Sequence, residues 1–148
     1  MGKTLVTGGS GFVGSHVVRA LAARGDDLRL LARRGSGLDH LSDLEFERAS
    51  GDVMDRRAVS RAMEGVDRVF HIAGSTSMRP QNRDKVFDLN VKGTRIVLEE
   101  SLAADVERVV FTSSVASFSG GQESLPVIHH DIRHHGAEEN QNRDEAQH

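Results

Sequence analysis

Three sets of residues in this 148-residue chain have types and spacings suited to chemistry. Gly8, Gly11 and Gly14 recur at three-residue intervals in Thr7-Gly8-Gly9-Ser10-Gly11-Phe12-Val13-Gly14. Such a run suits an anion, because glycine lets the chain turn sharply and leaves backbone N–H groups unscreened by a Cβ. Arg33-Arg34 is a pair of permanent cations whose planar forks match phosphate oxygens. Thr112-Ser113-Ser114 places hydroxyls after an apolar run, either to polarise a substrate oxygen or to close a strand end with local hydrogen bonds. A fourth set, His129, His130, His134 and His135, contains the four-residue spacing that zinc sites use on helices. The segment around it has no apolar face on which a scaffold could form, so these histidines are read as adventitious metal binders and not as a metal site.

The elements that must position the first three sets follow from hydrophobic patterning. Lys3–Thr7 is a short β-branched run that ends in glycines. Phe12–Arg24 carries Val13, Val17, Ala20 and Leu21 at helical spacing, and Gly25 stops it. Leu28–Ala32 is a second strand, Glu45–Arg48 a weak third, and Asp55–Met63 a helix closed by Gly65. Arg68–Ile72 is a fourth strand, Asn82–Ala104 one long helix, and Arg108–Thr112 a fifth strand. Strands alternating with helices imply βαβ units and a parallel sheet covered on both faces. The fold class is therefore α/β, a doubly wound Rossmann-type sheet with spatial order 3-2-1-4-5. In such sheets ligands bind beyond the carboxyl ends of the strands, where the order reverses. That point lies between the first and fourth strands.

Composition narrows the partners. The net charge of −3 favours neither nucleic acid nor an acidic membrane surface. With no cysteine there is no disulfide framework and no thiol chemistry. No stretch approaches the roughly 20 apolar residues of a membrane span, and the chain is read as soluble and cytoplasmic.

The glycine run opens a helix directly after a strand, which is the context a dinucleotide-binding loop requires. Gly8 suits the tight turn, Gly11 the close approach of a pyrophosphate, and Gly14 helix-to-sheet packing. Ser10, Phe12 and Val13 complete the loop and the helix N-terminus that faces the phosphates. A structural turn without a ligand would use the same residues. At the end of the second strand an acidic residue would accept the 2′-hydroxyl of NAD, whereas an arginine accommodates a 2′-phosphate. Arg33 or Arg34 at that position favours NADP, with NAD as the alternative; two arginines solvating a loop is the bland reading.

Taken in order, these segments resemble the extended short-chain dehydrogenase/reductase family, the NAD-dependent epimerases/dehydratases. The resemblance spans about Lys3 to Val127 and lies nearest the sugar-epimerase and dihydroflavonol-reductase-like members. TGGSGFVGSHVVRAL resembles the family's phosphate loop, SGDVMD its third-strand segment, VFHIAG its fourth strand, NVKGT its long-helix signature and RVVFTSSVAS its fifth strand. It implies that Asp52 meets the adenine with Val53 beside it, and that Ala73 and Gly74 line the cofactor. It further implies that Ser114 is the catalytic hydroxyl, with Ser113 as runner-up. His71 is read as a core histidine; Asn90 belongs to the long-helix signature by resemblance, and a helix residue bonding its neighbours is the alternative.

The family's chemistry also needs a tyrosine to exchange a proton and a lysine four residues later to lower that tyrosine's pKa, which is otherwise about 10. This sequence has no tyrosine and no lysine after Lys92. The expectation is thus an NAD(P)-binding domain, residues 1–127, truncated after the fifth strand, followed by a polar, disordered tail at residues 128–148. A frameshift or truncation would explain the break. Substrates in full-length relatives would be nucleotide sugars or small carbonyl compounds. The alternative is a non-catalytic dinucleotide-binding module that senses redox state or pairs with another chain.

Overall fold

The structure is a computed structural model that describes residues 2–77 and 79–114. A compact unit runs Met1–Ser113, and a second comprises Ser114–His148, of which only Ser114 is described. The expected domain boundary at Val127 and the polar tail with His129, His130, His134 and His135 lie outside the described residues.

The first unit is built on five parallel strands: β1 (Lys3–Thr7), β2 (Asp27–Ala32), β3 (Glu47–Ser50), β4 (Val66–His71) and β5 (Arg108–Phe111). Their order is β3-β2-β1-β4-β5, the doubly wound arrangement that the alternation of strands and helices implies. β1 lies at the centre, and Thr4–Thr7 are buried on both sides, as a parallel strand covered on both faces must be. Alternation along it splits the core in two. Leu5 joins Val59, Met63, Val69 and Val97 on the face covered by α2 (Arg56–Met63) and α4 (Thr94–Ala103). Val6 joins Val18, Leu21, Leu28 and Leu30 on the face covered by α1 (Phe12–Ala23).

The helices end where their sequences say they should. After α1 the amides of Gly25 and Asp26 bond back to Ala22 and Leu21 carbonyls, and Gly25 takes φ +80° to make that turn. The carbonyls that close α2 are taken by Arg29 of β2, whose Nη1 donates to Ala62 O at 2.8 Å and Glu64 O at 2.7 Å.

The long helix expected over Asn82–Ala104 is not one regular helix. It comprises α3 (Arg83–Phe87), a π-helical turn (Asp88–Gly93) and α4. The wide turn carries Asn90, whose carboxamide grips the loop after β4: Ser75 N donates to Asn90 Oδ1 at 2.8 Å, and Asn90 Nδ2 donates to Ser75 O at 2.9 Å. A tertiary contact thus accompanies the break in the i→i−4 ladder, and such wide turns often sit beside functional sites.

Candidate functional site

A cleft of about 390 Å³ opens where the sheet order reverses, at the carboxyl ends of the strands. It is built by four loops. The loop after β1 supplies Gly8, Ser10 and Gly11 and runs into Phe12, Val13 and Gly14 of α1. The loops after β2 and β3 supply Arg33, Asp52 and Val53, and the loop after β4 supplies Ala73 and Gly74. Eleven of the twelve residues that sequence reasoning assigned to a cofactor therefore line one cavity. Arg34 is exposed and is not among its described lining residues.

The three glycines do different work. A Cβ on Gly14 would lie 2.0 Å from Gly8 O, and one on Gly8 would lie 2.6 Å from Ala73 N, on a residue whose φ is already +78°. These two hold the β1 loop against α1 and against the β4 loop, with no ligand needed to explain them. Gly11 is different: its Cβ would meet only Gly8 O, at 3.4 Å, and its φ of −85° suits any residue. Nothing in the fold requires glycine there, and the open side faces the cleft.

Gly11 is also the N-cap of α1, so no side chain caps this helix, and its first turn holds no acid. The first intrahelical bond of the turn is Ser15 N to Gly11 O at 2.9 Å, which leaves the amides of Phe12, Val13 and Gly14 as the usual unpaired N-terminal donors. Bare amides and the positive end of the helix dipole therefore meet at the cleft, an arrangement that fits a phosphate. Phe12 is 82% exposed and contacts His16 edge-on at 4.9 Å between ring centres.

At the opposite end of the cleft, Arg33 Nε lies 4.0 Å from Asp52 Oδ2. The other oxygen of Asp52 accepts from Met54 N at 2.9 Å, which fixes the carboxylate. Val53 is buried beside Gly93 of the π-helical turn. Beneath the cleft, His71 is fully buried, and burial lowers its pKa from 6.5 to about 4, so the ring is neutral at physiological pH.

Sequence reasoning missed Leu31, Ser36, Gly51, Ile72, Thr76 and Leu89, which also line the cleft. Ile72 could have been found, since it directly follows β4, one of the two strands that flank the switch point, and Leu31 lies at the carboxyl end of β2. Ser36 is brought in by a turn in which its amide donates to Arg33 O at 3.0 Å and Gly35 takes φ +78°. Ser113 is exposed after β5 and is not among the described lining residues; Ser114, in the second unit, is exposed too. Among the described residues no cluster of three or more His, Asp or Glu could hold a metal ion, and no helix is long and apolar enough to cross a membrane.

The model of the 3-beta hydroxysteroid dehydrogenase/isomerase family matches residues 5–145. The chain belongs to this family. The match runs beyond Val127, where the resemblance read from sequence stopped. Among relatives, sterol demethylase protein B of Methylococcus capsulatus is 49% identical over 111 residues, covering 75% of this chain and 34% of that protein. Among solved structures, a short-chain dehydrogenase/reductase superfamily protein from Agrobacterium tumefaciens with bound NAD is 38% identical with a TM-score of 0.69. That alignment covers 79% of this chain and 34% of that one. An epimerase from Methanothermobacter thermautotrophicus is 32% identical with a TM-score of 0.75, covering 89% of this chain and 41% of that one. The chain spans about a third of the length of the curated relatives it matches.

Proposed function

We propose that this chain is the nicotinamide-dinucleotide-binding part of a reductase or epimerase of its family, and that its cofactor is NADP. The single observation that carries the reading is the bare N-terminus of α1 opening into the cleft at Gly11, the glycine that the fold itself does not need. The amides of Phe12, Val13 and Gly14 take the pyrophosphate, with Ser10 beside it. Asp52 and Val53 hold the adenine end, and Ala73 and Gly74 line the cofactor from the β4 side. Support for a dinucleotide comes from the Agrobacterium tumefaciens neighbour, which carries NAD. Support for NADP comes from Arg33, which lines the cleft beside Asp52.

When bound, the cofactor supplies a hydride donor or acceptor. The chain's own residues hold and orient it. Ser114 would donate a hydrogen bond to the oxygen of a nucleotide sugar or small carbonyl substrate, with Ser113 as the alternative. Proton exchange at that oxygen needs a group of suitable pKa, and the 148 residues contain no tyrosine. The proposal is therefore binding without turnover for this chain as it stands.

Titrating NADP and NAD into the protein at matched ionic strength tests the assignment. A charge-assisted contact contributes about 1.5–3 kcal/mol, so NADP should bind roughly tenfold more tightly or better. Arg33→Ala should erase that preference, and Arg34→Ala should keep it. Equal affinities in the wild type would overturn the NADP reading and leave NAD.

A further inference from the structure

The floor of the cleft is a buried polar chain that joins three elements. Thr7 Oγ1, at the end of β1, lies 2.7 Å from His71 Nδ1. His71 Nε2 lies 2.9 Å from Thr94 Oγ1, the first residue of α4. Thr7 Oγ1 also accepts the amide of Ala73 at 3.2 Å. Thr7 and His71 are fully buried, and Phe111 of β5 stacks on the ring at 5.6 Å.

A cluster that only stabilised the sheet would not have to end on Ala73. Thr7 directly precedes Gly8, and Gly8 and Ala73 are the two residues whose backbones meet across the cleft floor. Hydrogen-bond inventory then decides the proton positions. The Thr7 oxygen accepts from Ala73 N–H, so its own hydrogen needs an acceptor, and His71 Nδ1 is the partner in reach. The ring proton therefore resides on Nε2 and is donated to Thr94. In the opposite tautomer, Nδ1–H would donate to Thr7 and leave the threonine hydrogen buried without a partner, which costs free energy.

We infer that His71 is a positioning residue for the nucleotide: as the Nε2–H tautomer it orients the Thr7 hydroxyl, which in turn locks the Ala73 amide and the spacing between the glycine loop and the β4 loop. The inference rests on the dinucleotide reading of the cleft. It assigns a role to a histidine that touches no ligand, and it makes the two ends of the ring unequal. The Nδ1 side sets the cleft, whereas the Nε2 side only anchors α4.

Three variants separate these roles, with NADP affinity measured by calorimetry well below the melting temperature. His71→Leu removes both bonds and should weaken NADP about tenfold, the equivalent of one lost hydrogen bond at the binding surface. His71→Asn keeps an oxygen near the Nδ1 position and should stay within about threefold of wild type. Thr94→Val, nearly isosteric, should lower stability and leave affinity within about threefold. A purely structural histidine predicts the same affinity in all three. Affinity unchanged in His71→Leu, or lost equally in Thr94→Val, overturns the inference while the dinucleotide reading stands; absence of both NADP and NAD binding in the wild type overturns both. Should His71→Leu not fold, the ¹⁵N shifts of the wild-type ring decide, because a proton on Nδ1 contradicts the assignment.

Discussion

Helices α1 and α2 begin in opposite ways. Asp55 caps α2, accepting the amides of Arg57 at 3.0 Å and Ala58 at 3.2 Å. Arg56 in its first turn is in turn held by Glu99 and, at 2.6 Å, Glu100 of α4. The N-terminus of α2 is thus satisfied within the protein. α1 begins at Gly11 with no capping side chain, no acid in its first turn, and a cleft in front of it. The same fold builds both ends, so the difference is not imposed by topology. One end is finished by the chain, and the other is left for something anionic to finish.

The largest effect should come from closing the α1 end from the inside. Gly14→Ala drives a methyl group to 2.0 Å from Gly8 O. Backbone on both sides must shift, and the loss should reach about 3 kcal/mol, the upper range for overpacking. Urea denaturation checks this; a loss below about 1 kcal/mol would mean that the loop yields easily and that the contrast between the two helix starts is weaker than described.

The next effect concerns the floor beneath the bare end. His71 titrates near 4 in the folded protein against 6.5 when free, because burial disfavours the charged ring. Below pH 6.5 the unfolded chain takes up a proton that the folded protein refuses. Stability should therefore fall as pH drops from about 6.5 towards 4, by about 3 kcal/mol at most. Exposed Asp43 and Glu47, whose pKa values are lowered by hydrogen bonds from Arg19 and from Lys3 and Arg29, act in the same direction but nearer their own range. The difference between wild type and His71→Asn isolates the histidine. An unchanged pH profile in that variant would show that the ring is not the source.

How much of this contrast could be read in the chain depends on the range of the interaction. The strand order and the glycine loop are local or periodic signals: strand and helix periods in alternation, and a β-branched run followed by spaced glycines. The π-helical turn was not legible, because Asp88–Gly93 fits ordinary helical periodicity and its widening goes with the Asn90 grip on Ser75, fifteen residues away. Neither was the His71 chain, whose bonds span 64 and 23 residues. Arg33 and Arg34 were indistinguishable in sequence, since the strand's alternation ends at Ala32; the turn at Gly35 determines which of them borders the cleft.

A smaller effect should follow at the other helix. Asp55→Ala removes the α2 cap and should lower stability by about 1 kcal/mol. Dinucleotide affinity should not move, because Asp55 is not among the described residues lining the cleft. A melting curve paired with one binding isotherm suffices. A fall in affinity would mean that the two helix ends are coupled, and the contrast between a finished end and an open one would fail.

The most direct measurement is a calorimetric titration of NADP into the wild type and into Gly11→Val. The account predicts saturable one-to-one binding by the wild type and a loss of about a hundredfold or more in the variant, whose branched side chain would occupy the approach to the α1 amides. Stability should stay within about 1 kcal/mol, since the backbone at Gly11 suits any residue and only a weak N-cap preference is lost. Equal affinity in the two proteins, or no binding in the wild type, would contradict the claim that the open end of α1 is a dinucleotide site.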